Sequence, residues 1–383
     1  YTEFERYRGG DSRLKWEYGR RHRQATRLRR RFFFGILLVA VILTAVYAVM
    51  RSGSYGFTWA IPKLPLGFSA SQADEDSKES SRSEFLMDTF VSIRAVGPNQ
   101  EQAIEAAVDG MRRVESLMSR HIPDSDVSRI NEGAGGEPVK VSEETFYVIE
   151  EAVKCARLTK GAFDITIGPL MDVWNFGAED PAIPDAEEIE KARSLIGWEL
   201  VELDSANRTV RLPIEGMSID LGGVAKGYAA SEGARILLEY GISHALIDAG
   251  GNIVTIGSRS DGEPWQIGIR DPRGESIEDT IGPTLSILNG AVATSGDYER
   301  FFIYDGRRYH HILRPDTGMP VETARSVTVM AKDPLYADML STAVFVLGPD
   351  EGIKFIETLD GISAMIVTDD GSIVFSKGFP KMH

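Results

Sequence analysis

Ile219-Asp220-Leu221-Gly222-Gly223-Val224-Ala225-Lys226-Gly227-Tyr228-Ala229-Ala230 is an apolar run, a glycine pair and the opening of a helical pattern. The spacing predicts a strand ending at Asp220, a tight turn at Gly222 and Gly223, and a helix reaching about Tyr240. Glycine has no Cβ, so such a turn lets a ligand approach exposed backbone N–H groups. Lys226 falls in the first helical turn, where a cation opposes the helix dipole. An anion beside it, such as a phosphate, would remove that conflict. The spacing matches neither a P-loop nor the usual dinucleotide fingerprint. Taken alone, the stretch is equally consistent with an ordinary strand-to-helix turn carrying a surface lysine.

Outward from this stretch, the chain of 383 residues has room for one large or two ordinary domains plus extras, and its 43% hydrophobic content supports a core. The formal charge is −15, unevenly spread: residues 1–31 hold eleven Arg/Lys against four Asp/Glu, so the remainder carries −22. An acidic body argues against nucleic acid as a partner. The single cysteine, Cys155, permits no internal disulfide and reads as a buried structural thiol.

Residues 1–31 form a basic arm. Phe32 to Met50 are nineteen residues without a charge, closed by Arg51. That is close to the ~20 residues that span a bilayer and longer than the ~7–15-residue apolar region of a cleavable signal. The expectation is one uncleaved transmembrane anchor with the N-terminus in the cytoplasm and the body outside the cytoplasmic membrane. Residues 51–83, rich in Ser, Gly, Pro and Asp, read as a flexible linker. The body occupies 84–383. Its pattern predicts a strand over 85–96, helices over 99–119, 142–159, 181–196 and 334–347, and a strand-like run within 161–170. Hairpin strands are expected at 200–204 and 209–212, and further strands from 245 onward. Helices and antiparallel-looking strands are mixed without βαβ alternation, which is an α+β pattern.

Several polar clusters end apolar runs: Asp164, Asp220, Asp248, Ser295-Gly296-Asp297 and His310-His311. Any one alone is an ordinary cap or turn residue. Asp338 and Thr342 share a helix face at i, i+4. Their carboxylate and hydroxyl offer hard oxygens to Mg²⁺, although a threonine bonded back along its own helix gives the same spacing.

Taken in order, Met87-Asp88-Thr89, Ser125 to Asn131, Gly161 to Pro169, Asp220 to Ala230, Asp248 to Asn252, Ser295-Gly296-Asp297, His311 to Pro320 and Tyr336 to Thr342 resemble the ApbE family of FAD:protein FMN transferases. The resemblance spans residues 84–375. It implies a T-fold-like α+β architecture with mixed and antiparallel sheets and flanking helices. It also implies an enzyme that uses Mg²⁺ and moves the FMN half of FAD onto a Thr or Ser hydroxyl of a partner flavoprotein, releasing AMP. The implied partner is a subunit of a membrane redox complex with a Ser/Thr-Gly-Ala-Ser/Thr motif. This chain lacks such a motif, so self-modification is not expected. Carried over by position, the metal ligands are Asp338, Thr342 and the carbonyl of Gly223. The FAD-binding positions are Met87, His121, Ala162, Phe163, Asp164, Asp220, Lys226 and Ile312. His311 is the candidate proton acceptor. The chain departs from the family pattern at Arg314 and Asp316, where an acid and then a base are expected; a compensated charge swap and a changed acceptor preference both account for this. Two other functions compatible with these residues are hydrolysis of FAD to FMN and AMP, and non-enzymatic flavin binding outside the cytoplasmic membrane.

Overall fold

The computed structural model describes residues 78–276 and 278–381. The basic arm, the apolar segment 32–50 and most of the expected linker lie outside the described residues. Among the described residues no helix is long and apolar enough to cross a membrane.

The chain enters as a hairpin, β1 (Glu79–Leu86) and β2 (Thr89–Val96). Its two turn residues, Met87 and Asp88, have φ of 54° and 56°, the left-handed pair that a two-residue hairpin loop needs. β1 therefore begins inside the stretch expected to be linker, and the expected strand over 85–96 is two strands. The serine-rich composition misleads because β1 is an edge strand whose solvent-facing positions tolerate polar residues.

Next come α1 (Gln100–Met118), α2 (Asp126–Glu132), β3 (Val139–Lys140) and α3 (Glu143–Leu158). On α1, Ala103, Ile104, Ala107, Val108, Met111, Val114 and Met118 are buried, a stripe at three- and four-residue intervals. The expected strand-like run within 161–170 is instead a 3₁₀ turn (Ile165–Ile167) leading into α4 (Gly168–Trp174). Asp164 enforces this by accepting the N–H and hydroxyl of Thr166 at 2.8 and 2.6 Å, and Pro169 suits a first helical turn. After α5 (Ala186–Arg193), β4 (Glu202–Asp204) and β5 (Thr209–Arg211) join β3 in a small sheet.

The run ending at Asp220 enters no sheet, contrary to the sequence expectation. Asn131 takes the place of a neighbouring strand: its amide donates to the Ile219 carbonyl at 3.0 Å and accepts the Ile219 N–H at 2.7 Å. The helix that follows is α6 (Ala225–Glu239). Strands β6 (His244–Ala249), β7 (Asn252–Ile256), β8 (Trp265–Ile267), β9 (Leu285–Ile287), β10 (Gly290–Gly296), β11 (Phe301–Tyr304), β12 (Arg307–His310) and β13 (Ala324–Ala331) follow. α7 (Pro334–Ile356) kinks at Gly348 (φ 76°) and resumes, so it runs past the Leu347 end that Gly348-Pro349 suggests. β14 (Ser363–Thr368) and β15 (Ile373–Phe375) close the chain.

One antiparallel sheet of eight strands, ordered β1-β2-β6-β7-β10-β13-β14-β15, organises the body. Alternate residues sort its two faces. Val91, Ile93, Ile247, Val254, Ala293, Val327, Val329 and Ile366 point into the core shared with α1, α6 and α7. Val292, Met365 and Val367 point the other way, against Trp265, Ile267, Leu285 and Ile287 of the β8–β9 hairpin. A third cluster joins Leu170 and Trp174 of α4 to Ile189, Phe302, Tyr309 and Leu313. The architecture is the α+β, antiparallel one expected.

α6 and α7 cross at a glycine. A Cβ placed on Gly227 would lie 2.5 Å from the Pro334 carbonyl oxygen and 2.7 Å from Asp338 Cβ. Backbone has nowhere to retreat, so Gly227→Ala forces the helices apart. We expect a loss of about 1–3 kcal/mol, read as a lower denaturant midpoint. A variant as stable as the parent would mean that the crossing is looser than described.

Candidate functional site

The predicted residues converge where α6 and α7 begin. The Gly227 N–H, in the first turn of α6, donates to Asp338 Oδ2 at 2.8 Å. One bend earlier, a Cβ on Gly223 would stand 3.2 Å from the Phe163 ring and 3.4 Å from Thr342 Oγ1. The glycine bend thus lies against the α7 face that carries Asp338 and Thr342, with Phe163 beside it. Lys226 turns its ammonium back onto the Gly222 carbonyl at 3.1 Å. Asp220 shapes the bend by accepting the Gly222 N–H at 2.7 Å. It is held in turn by Arg120 at 3.3 Å, and Arg120 also grips Asp172 with two bonds of 2.7 and 2.8 Å.

Three residues not assigned to the site from sequence complete this polar island. Ser295, at the end of β10, lies 2.7 Å from Ser341 Oγ and 3.3 Å from Thr342 Oγ1. Asn252, the first residue of β7, is buried, and its side chain stands close enough to the Asp338 carboxylate to favour its charged form. Its Oδ1 is buried with no hydrogen-bond partner. The sequence signals were present, since Asn252 and Ser295 sit inside quoted motifs and Ser341 adjoins Thr342. Their shared face appears only once β7 and β10 pair, with Ala293 opposite Asn252.

The donor set fits a hard divalent cation. It offers the Asp338 carboxylate, the Thr342 hydroxyl, the bend at Gly223 and the orphaned Asn252 oxygen, all hard oxygen donors. Among the described residues no cluster of three or more His, Cys, Asp or Glu could hold a metal, so the donor set relies on the Asp338 carboxylate with neutral oxygens. Burial pushes the Asp338 acid upward, while Lys226, Gly227 and Asn252 pull it back. A buried carboxylate without a full counter-charge is costly, and a bound cation would relieve that cost.

His310 and His311, adjacent in sequence, separate in role. His310 is buried, with Nε2 2.7 Å from the Val321 carbonyl and Nδ1 accepting the Ile312 N–H at 3.3 Å. Both nitrogens are used, so it fixes the loop; Ile312 is buried beside it. His311 bonds through its backbone N–H to the Arg300 carbonyl at 3.0 Å. Its Nδ1 is buried and unpartnered. Burial, reinforced by His310, Arg300 and Lys226, pushes the ring down to about 3, so it is neutral at pH 7 and resists protonation while these cations stand unopposed. The influence of Lys226 brings this loop into the field of the α6 N-terminus.

The remaining predicted positions differ in what they offer. Ala162 is half-buried against the core beside Phe163. The Asp164 carboxylate is spent on its own turn, accepting from Thr166 and from the Trp198 N–H at 3.2 Å. Met87 is half-buried, with its N–H on Glu115 at 2.8 Å. The adjoining Asp88 pairs with Arg300 at 3.2 Å, tying the β1–β2 turn to the segment that leads to His311. His121 is exposed, next to Arg120. Arg314 and Asp316 satisfy each other through bonds of 3.0 and 2.7 Å, and Arg314 also reaches the Val346 carbonyl at 3.3 Å.

A profile described as "ApbE family" matches residues 87–366. The FAD:protein FMN transferase of Treponema pallidum is 32% identical over 319 residues, covering 79% of this chain and 88% of that protein. The enzyme of the same name from Vibrio cholerae is 35% identical over 286 residues, covering 73% and 84%. Among solved structures, the ApbE protein of Thermotoga maritima superposes with a TM-score of 0.73 at 38% identity, over 79% of this chain and 98% of that one. The flavin transferase ApbE of Vibrio cholerae gives 0.69 at 31% identity, over 80% and 99%.

The enclosed Nδ1 of His311 gives the ring a pH signature. Its ordinary value of 6.5 falls to about 3 in the fold, so between these values the unfolded chain takes up a proton that the folded chain does not. The contribution to stability is complete above 6.5 and is lost as pH falls toward about 3. Thermal melts of wild type and His311→Asn should show the wild type losing stability relative to the variant across that window. A difference that stays flat would mean a solvated imidazole.

Proposed function

This chain belongs to the ApbE family, and from that premise we propose that it transfers the FMN half of FAD to a Thr or Ser hydroxyl of a partner flavoprotein, with Mg²⁺ as its metal and AMP as the leaving group. The observation that carries this reading is the packing of the Gly223 bend against Thr342, one turn along α7 from Asp338, whose carboxylate takes the Gly227 N–H. A glycine bend opening a helix suits a pyrophosphate, and the facing oxygens suit the cation that a pyrophosphate brings.

The roles divide as follows. Asp338, Thr342 and the Gly223 carbonyl would hold Mg²⁺, which when bound supplies charge neutralisation at the phosphates. Lys226 adds positive charge beside the pyrophosphate. Asp220 and Asp164 keep their turns in shape, and Phe163, Ala162, Met87 and Ile312 supply apolar surface to the flavin nucleotide; His121 lies at the rim. The unpartnered Nδ1 of His311 accepts the proton of the incoming hydroxyl, a role that needs the bound phosphates to offset the nearby cations that hold its proton affinity low. The acceptor oxygen bonds to the FMN phosphorus, the bond from that phosphorus to the bridging oxygen breaks, and AMP departs with the bridging oxygen. The acceptor is a subunit of a membrane redox complex with a Ser/Thr-Gly-Ala-Ser/Thr motif. Residues 32–50, uncharged and preceded by a basic arm, anchor the chain with its N-terminus in the cytoplasm and its catalytic domain outside.

Co-expression with a flavoprotein domain that carries the acceptor motif, followed by mass spectrometry, tests the reading. Wild type should add one FMN to a single Thr or Ser. Asp338→Ala should abolish the product, and His311→Ala should slow it by ~10²–10⁴. Free FMN forming at the same rate with and without acceptor would instead indicate hydrolysis. FAD bound tightly by wild type and by Asp338→Ala, with no product from either, would indicate a binding protein.

A further inference from the structure

The structure points to Asn252 as a further residue of the cation site, and we propose that its Oδ1 takes a divalent ion, directly or through one bound water, while its amide N–H positions Asp338. The proposal rests on the divalent-cation reading given above.

Asn252 is 4% exposed. It sits on the helix-facing side of the sheet, in step with buried Val254 and Ile256. Its strand neighbour is Ala293, and Ser295 lies two residues further along that strand on the same face. Ser295 bonds both Ser341 and Thr342. Asn252 therefore shares a sheet face with the Ser295 hydroxyl that bonds α7.

The Asn252 side chain stands close enough to Asp338 to favour its charged form, whereas Oδ1 is buried and unpartnered. The oxygen and nitrogen of the amide share one carbon, so this oxygen lies in the same buried polar island as that carboxylate. An unsatisfied buried acceptor is costly. Phosphate oxygens cannot satisfy it, since they are acceptors too. A cation or a cation-bound water can. A leucine would fill the position without that cost, so a polar residue here is explained by what it binds.

Mn²⁺ is the probe, titrated by electron paramagnetic resonance into the full chain without FAD. Asn252→Ala should raise the Mn²⁺ dissociation constant by about 10–100-fold, the usual effect of removing a supporting residue from a metal site. Asn252→Asp places a second carboxylate next to Asp338. Its metal-free form should melt below wild type, and Mn²⁺ should raise its melting temperature by more than it raises that of wild type. Asp338→Ala serves as the reference and should lose Mn²⁺ binding. Mn²⁺ affinity lost in Asp338→Ala but unchanged in Asn252→Ala overturns the proposal and leaves the cation reading standing. A wild type that binds no Mn²⁺ overturns both. Weakened FAD binding with unchanged Mn²⁺ affinity assigns Asn252 to the flavin nucleotide and also overturns the proposal. If Asn252→Ala does not fold, the extra Mn²⁺ stabilisation of Asn252→Asp decides.

Discussion

A single hydrogen bond joins the two helices on which the site is built: the Gly227 N–H to the Asp338 carboxylate. It does two things at once. It satisfies a donor of the first helical turn, which has no partner within its own helix, and it fixes the one buried acid at the point where α6 and α7 touch. The contact needs a residue without a side chain at 227, because Pro334 and Asp338 occupy the space a Cβ would take. Bringing the backbones this close is what sets Gly223 against Thr342. The core beneath is ordinary apolar packing, and the polar atoms above it are held by that packing.

Much of this was legible in the sequence because it is local. The helices expected over 99–119, 142–159 and 181–196 and the glycine bend depend on residues within a few positions of one another. The pairing of Asp338 with Thr342 is one helical turn. What sequence misread was decided at longer range or by competition between side chain and backbone. The run ending at Asp220 looks like a strand, yet Ile219 is paired by one asparagine amide and Asp220 by the Ile165 carbonyl of a turn, both from other parts of the chain. Residues 161–170 look extended, yet Asp164 winds the backbone by binding Thr166. β1 reads as linker because an edge strand needs few apolar residues. Asn252 and Ser295 escaped because membership of the site is set by strand register, which a single strand does not reveal.

The charges follow the same division. Exposed ion pairs such as Lys354–Glu351 have the helical spacing expected from sequence, and contribute little individually. Buried groups are different. Asp297 is held by two bonds from Arg273 at 2.8 and 2.6 Å, and Glu151 accepts from both Lys154 and Tyr336 at 2.8 and 2.7 Å. Each of these has its partner within the protein. Asp338 has only neutral donors and the distant help of Lys226. Charge left uncompensated by the fold is charge available to a ligand.

The kink in α7 bears on how freely the loop that carries His311 could be exchanged. Gly348 leaves helical geometry and Pro349 has no N–H to give, so carbonyls in the turn before the kink need other donors, and Val346 finds one in Arg314. An acid at position 314 has no hydrogen to offer that carbonyl. Grafting a loop with the opposite charge order onto this scaffold would therefore strand a backbone acceptor on α7, unless the Gly-Pro break were replaced by continuous helix at the same time. Loop and break form one inheritable unit, although thirty-odd residues separate them in the chain.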